Sequence, residues 1–132
     1  MKTVFVDTSA FYALLDPRDG FHAEAHDCFA RSQIESWRLL TTNCVVQESW
    51  ATIQTRLGWD ALDAWRDGIL PLCEILWITE QLQAVGEARC VQARERGLSL
   101  VDCISIEVMR QQRISEAIAQ DKQFAQQGIA LP

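Results

Sequence analysis

Residues 2–16, KTVFVDTSAFYALLD, run from a β-branched and aromatic stretch (2–6) through Asp7 into an apolar stretch of helical character (8–15). Val and Phe suit a pleated, buried surface, so residues 2–6 predict a short strand. Pro17 and Gly20 then punctuate the end of the helix. A strand that hands straight over to a helix, with an acid at the junction, opens a βα unit.

The rest of the chain repeats the alternation. Residues 21–36 predict a helix with Phe21, Ala25, Cys28 and Phe29 on one face. Residues 39–42 are the second strand. Asn43 is placed to cap a helix reaching Leu57, with Val46, Trp50, Ile53 and Leu57 forming an apolar stripe and Gly58 closing it. A helix over 60–68, a strand over 72–78 (LCEILWI) and a helix capped by Thr79 and stopping at Gly97 follow. A helix over 102–112, a weak strand over 116–120 and a last possible strand over 129–131 complete the reading. The fold class is therefore α/β, with a mainly parallel sheet of four to five strands covered by helices on both faces. A chain of 132 residues with no repeat, low-complexity tract or Pro/Gly-rich linker predicts a single domain, 1–132.

Composition narrows the function. Twelve basic side chains against eighteen acidic ones leave a net charge of −6, which removes the simplest nucleic-acid argument, a basic face that neutralises phosphates. If the chain handles RNA or DNA, a metal or a basic partner must help. The longest strongly apolar stretch, 69–78, is interrupted by Glu74, while about 20 apolar residues are needed to span a bilayer. No membrane association is expected. Lys2 is followed by only Val4, Phe5 and Val6 before Asp7, too short for a signal-peptide core, so a cytoplasmic location is expected. Five cysteines form no C-x-x-C pair and read as small buried hydrophobes rather than a disulfide framework.

In open α/β sheets, ligands bind beyond the carboxyl ends of the strands. Asp7 and Asp121 each follow a predicted strand directly and would face one crevice. Asp102 stands at the start of its helix, where a capping role is the plain alternative. Glu48 lies nearly opposite the apolar stripe of its helix and, by that measure alone, is a solvated glutamate.

Together these acids resemble the pattern of the PIN-domain ribonucleases, and more closely the VapC-type toxins of bacterial toxin–antitoxin pairs. VDTSAFYALLD (6–16) is similar to the family's opening motif, with Asp7 as its acid and Ser9 as a supporting hydroxyl. DGFHAEA (19–25) resembles its D-x-x-H-x-x-A pattern. VVQES (45–49) carries the helical Glu48, LSLVDCISIEVM (98–109) carries Asp102, and AIAQDKQF (117–124) carries Asp121. Ala119 stands where the family usually has Thr or Ser.

The resemblance implies a PIN-like three-layer α/β/α sandwich and a metal-dependent endoribonuclease that cuts structured RNA. Phosphodiester cleavage needs an activated water and compensation for charge on the phosphoryl oxygens. Mg²⁺, with Mn²⁺ able to substitute, supplies both while bound to carboxylates. Asp7 and Asp102 are the expected direct metal ligands, with Glu48 and Asp121 binding directly or through water and orienting the attacking water. A homodimer and a cognate antitoxin are also implied. A crevice of acids would attract the guanidinium of an Arg-bearing antitoxin segment.

Other features carry less. His22 and His26 share a helix face but lack a nearby third ligand. Trp59 and Trp65 fall on one helix, expected to form an exposed apolar edge for a partner or second copy. Arg94 and Arg96 suit a solvated helix end. A haloacid-dehalogenase-type phosphatase would need D-x-D where the chain has Asp7, Thr8, Ser9, and a receiver domain would need an Asp where Thr79 follows the third strand. The remaining alternatives are a PIN fold kept as a non-catalytic protein-binding module and a PIN nuclease outside toxin–antitoxin systems.

Overall fold

The computed structural model describes residues 1–120 and 122–132, so the expected fourth acid, Asp121, lies outside the described residues. Strand β1 (Thr3–Val6) buries Val4, Phe5 and Val6 completely, as a strand covered on both faces must. Parallel to it on one side runs β2 (Arg38–Thr42), with β3 (Cys73–Leu76) beyond, and on the other side β4 (Ala117–Ile118). The sheet order is β3-β2-β1-β4, all parallel. The helices form two groups. In the first, α1 (Thr8–Leu15), α2 (His22–Ile34), α3 (Asn43–Arg56) and α4 (Trp59–Ala64) pack on one another. In the second, α5 (Glu80–Ala93) lies against α6 (Leu100–Gln112), before the short α7 (Lys122–Gln126).

The chain builds outward from β1 to β3 on one side and then places β4 on the other. The order reverses between β1 and β4, and at such a switch point the two departing connections leave a crevice at the carboxyl ends. Asp7 sits there, its backbone N–H donating to the Ile118 carbonyl at 3.2 Å.

Several boundaries differ from expectation. Thr42, not Asn43, caps α3: the Thr42 hydroxyl accepts the Val45 N–H at 3.2 Å, while Asn43 Oδ1 accepts the Ile78 N–H at 2.8 Å and ties α3 to the segment after β3. The helix expected over 60–68 is regular only to Ala64, then widens into a π turn (Trp65–Ile69) and a 3₁₀ turn (Leu70–Leu72). Pro71 has no N–H to continue an α-helical ladder, so β3 starts only at Cys73. Helix α5 stops at Ala93, where Arg94 takes a left-handed conformation (φ 51°) and its N–H closes on the Cys90 carbonyl. The possible fifth strand over 129–131 reduces to one parallel bridge between Glu116 and Ala130.

Trp65 corrects a further expectation. It is fully buried, with its ring edge-on to Phe11 at 5.5 Å and to Trp50 at 6.5 Å, so only Trp59 of that pair is exposed. Of the cysteines, Cys28 and Cys103 are buried and Cys44, Cys73 and Cys90 half-buried; all five thiols are free. No helix among the described residues is long and apolar enough to cross a membrane.

Helix α6 is the buried one, with Cys103 through Met109 all inside. Glu107 is the charged member of that run. Its carboxylate is clamped by Arg89 of α5 at 2.7 Å and by Arg110 at 2.7 Å. Burial pushes its pKa up, but the hydrogen bonds from Arg110 and Arg89 outweigh that and hold it below the usual range. The two helices approach closely at Gly86, where an added Cβ would lie 2.5 Å from Ile104 Cγ1 and 3.3 Å from Ile104 Cα. Gly86→Ala gains about 1 kcal/mol of helix propensity, but overpacking against a neighbouring backbone costs about 1–3 kcal/mol. We expect a lower melting temperature, by roughly 4 °C per kcal/mol of net loss. In a double-mutant cycle with Ile104→Ala the combined loss should be smaller than the sum; simple additivity would mean the clash is absent.

Candidate active site

The site starts where β1 ends. Asp7 has the extended backbone of an N-cap, and its Oδ2 accepts the Ser9 backbone N–H at 3.3 Å and the Ser9 hydroxyl at 2.8 Å. Ser9 Oγ in turn accepts the Gln120 N–H at 3.0 Å. The expected supporting hydroxyl thus links Asp7 to the residue just beyond β4 that precedes position 121. The other oxygen, Oδ1, is buried and has no hydrogen-bond partner among the described residues. Burial is the chief cause that pushes the Asp7 pKa up to about 6, with the charges of Asp102 and Glu48 adding to the rise and the Ser9 hydrogen bonds opposing it.

Glu48 is brought to the same place by α3. The buried Thr41 hydroxyl donates to the Val6 carbonyl at 2.9 Å, and Ser49 Oγ donates to Thr8 Oγ1 at 3.1 Å. These bonds fasten the start of α3 to the β1–α1 junction. Glu48 is half-buried and, together with Asp7, lines an open cavity of about 430 Å³. Thr8, Ser9 and Tyr12 of α1, Asp19, Thr52 and Arg56 of α3, and Gln120 complete the wall.

Asp102 is the third residue of α6, not its cap. Ser99 caps the helix, and the two form a reciprocal box: Ser99 Oγ accepts the Asp102 N–H at 3.1 Å, and Asp102 Oδ2 accepts the Ser99 N–H at 3.0 Å. The capping role is real, yet its charge also reaches Asp7. Three of the four expected acids are therefore brought together electrostatically, two of them in one cavity wall.

His22 has a structural role. Its Nδ1 donates to the Ala13 carbonyl at 2.7 Å and locks α2 to α1. Among the described residues no three His, Cys, Asp or Glu side chains are grouped tightly enough to hold a metal on their own. Thr52, Arg56 and Gln120 were missed by sequence reasoning. The first two could have been found: they follow Glu48 at four and eight residues, the spacing of one helix face.

The PIN domain family matches residues 4–129. This chain belongs to the PIN-domain family. It is 30% identical over 127 residues to the 23S rRNA-specific endonuclease VapC20 of Mycobacterium tuberculosis, covering 96% of this chain and 95% of that protein. The crystal structure of that VapC20, a sarcin–ricin loop cleaving toxin, matches the present PIN domain with a TM-score of 0.84 at 29% identity, over 96% of this chain and 95% of that one. FitAcB from Neisseria gonorrhoeae (TM-score 0.68, 16% identity, 98% and 96% coverage) and PAE2754 from Pyrobaculum aerophilum (0.63, 22%, 98% and 92%) share the fold. The likeness to VapC20 and the four-stranded parallel sheet bear out the expected VapC-type PIN sandwich, and the phosphatase and receiver readings fall.

The raised pKa of Asp7 has a sign. The native state holds this proton more tightly than the unfolded chain, so the contribution is present below the ordinary value of 3.8 and is lost as pH rises through about 6. In EDTA, the melting temperature of Asp7→Asn minus that of the parent should be smallest near pH 4 and grow to a plateau above pH 6, equivalent to a few kcal/mol at about 1.4 per pKa unit. A difference that stays flat across this range would show that Asp7 does not titrate as described.

Proposed function

We propose that this PIN domain is a Mg²⁺-dependent endoribonuclease, with Mn²⁺ able to substitute, and the toxin of a type II toxin–antitoxin pair. Its substrate class is structured ribosomal RNA. The observation that carries the reading is the unpartnered, buried Asp7 Oδ1 in a cavity it shares with Glu48. The chain's likeness to an rRNA-specific endonuclease supports the same choice.

The donor set fits a hard divalent cation. An isolated buried carboxylate oxygen is costly unless something pairs with it, and two further acids raise that cost. Mg²⁺ needs only one or two carboxylates because it keeps several waters, so the lack of a tight cluster of three ligands is compatible with it. Asp7 and Asp102 would hold it. When bound, it would supply an acidified water and charge compensation at the phosphoryl oxygens.

The chain's own groups do the rest. Ser9 fixes the Asp7 carboxylate in one orientation through Oδ2, which leaves Oδ1 free. Glu48, whose helix is fastened to α1 through Ser49 and Thr8, would orient the attacking water and take its proton. Asp121 is proposed as the fourth acid of this set. With Ala119 in place of a hydroxyl residue, Asp121→Asn should be the mildest of the four carboxamide variants.

Purified protein should cut a hairpin carrying the sarcin–ricin loop sequence with Mg²⁺ or Mn²⁺ and fail in excess EDTA. Asp7→Asn, Glu48→Gln and Asp102→Asn should each lose on the order of a hundredfold or more in rate. Full cleavage in EDTA would overturn the metal requirement. No cleavage of any structured RNA would favour the non-catalytic module.

The same reading includes a homodimer and a small antitoxin that inserts an Arg side chain between the acids, where a guanidinium can pair bidentately with carboxylate. Inhibition should weaken strongly when the docking arginines of that partner are replaced. Undiminished inhibition would rule out this mode, and the lack of any inhibitory partner would place the enzyme outside toxin–antitoxin systems.

A further inference from the structure

Among the described residues, three of the four charged side chains that line the cavity are acidic, and the fourth is Arg56. It stands in the last turn of α3, in line with Glu48 and Thr52 on the face turned to the cavity. Eight residues of helix separate Glu48 from Arg56, about 12 Å along the axis. Along α3, the arginine is therefore about two turns from Glu48 on the same wall.

Its guanidinium lies over the ring of Tyr12, with Cζ 5.7 Å from the ring centroid, and it forms no ion pair among the described residues. The ring itself is anchored. Tyr12 Oη donates to Asp16 Oδ2 at 3.2 Å, and Asp16 is buried and also accepts the Arg18 N–H at 3.0 Å. A guanidinium stacked on an aromatic face keeps its N–H donors at the edge, free to take two oxygens of a phosphate. A cation at a helix C-terminus also suits the macrodipole. That effect needs only proximity to the end of α3 and does not account for the stacking on a side chain of α1.

We propose that Arg56, pinned on Tyr12, is a phosphate-binding subsite that grips an RNA backbone phosphate flanking the one cleaved. It rests on the endoribonuclease reading above and deepens it by assigning the contact that holds the substrate in register. Arg56 is thus a binding residue and Tyr12 a positioning residue. Phosphate contacts of this kind set register and orientation without reading sequence.

The test is steady-state cleavage of the sarcin–ricin hairpin with Mn²⁺ over a range of salt concentrations. Arg56→Ala should raise KM about tenfold with kcat within about twofold, and should reduce the slope of log KM against log salt by about one. Arg56→Lys should keep that slope while recovering only part of KM, because the charge is present without the fork. Tyr12→Leu should raise KM severalfold with the slope unchanged, since the charge remains but is no longer pinned. Unchanged KM and slope in Arg56→Ala, or a loss confined to kcat, would overturn the subsite.

If the parent fails to cut, the endoribonuclease reading fails separately. The subsite is then decided by fluorescence anisotropy of the same labelled hairpin in Mn²⁺, which a parent that does not cut leaves intact. Arg56→Ala must bind about tenfold more weakly with the shallower salt slope; equal affinities, or no binding by the parent, would reject it.

Discussion

Asp7 holds two positions at once, and they pull in opposite directions. As the N-cap of α1 it must accept hydrogen bonds with one oxygen, and as the residue closing β1 it must be buried at the centre of the sheet. The second oxygen is left without a partner among the described residues, which costs free energy in a low-dielectric interior. The structure retains that cost because the alternatives are closed off. The Ser9 hydroxyl is shared between Asp7 Oδ2 and the Gln120 N–H, so it cannot swing to Oδ1 without giving up a bond it already makes. The same bonds join the ends of β1 and β4, the two strands whose divergence makes the crevice.

The polar groups around this point form a scaffold of satisfied hydrogen bonds. Thr41 reaches the Val6 carbonyl, Thr42 caps α3, Asn43 holds the strand exit at Ile78, and Ser49 meets Thr8. Between them they tie β2 to β1, close the first turn of α3, and fasten α3 to the segment after β3 and to α1. That rigidity allows Glu48 to stay near Asp7 despite repulsion. Burial first, and the like charges of Asp102 and Glu48 after it, raise the proton affinity of Asp7. On the proposed reading, a cation that binds the folded state alone would recover the stability given up here.

The legibility of the site follows the range of the interactions involved. The β1–α1 junction was readable because strand propensity, the capping acid and the following hydroxyl all act within a few residues. Glu48 was readable only through the family pattern. A helical wheel measures a side chain against the apolar stripe of its own helix, and it reports solvent wherever the true neighbour is another element, here α1. Trp65 failed in the reverse way: its short helix was taken as an edge, but Phe11 and Trp50 close over it from α1 and α3. Thr42 and Asn43 are adjacent and both cap well, and the choice between them was made by Ile78, 35 residues away from Asn43. Arg56 was lost because its partners, Tyr12 and the cavity, are both distant in sequence.

The net charge of −6 would seem to argue against an RNA substrate, but net charge governs solubility and long-range encounter rather than the sign at one site. Contact with a polyanion needs positive charge only where phosphates rest. On the α3 face that lines this cavity, Glu48 is followed about two turns later by Arg56, so that face runs from negative to positive. On the proposed reading, a cation held by the acids reverses the sign at the Glu48 end, and the whole face becomes attractive to a backbone. RNA binding and cation binding are then coupled. Each favours the other by the same free energy, as linkage requires of two ligands sharing one field. On that reading, an acidic protein of this design binds RNA weakly until the cation is in place.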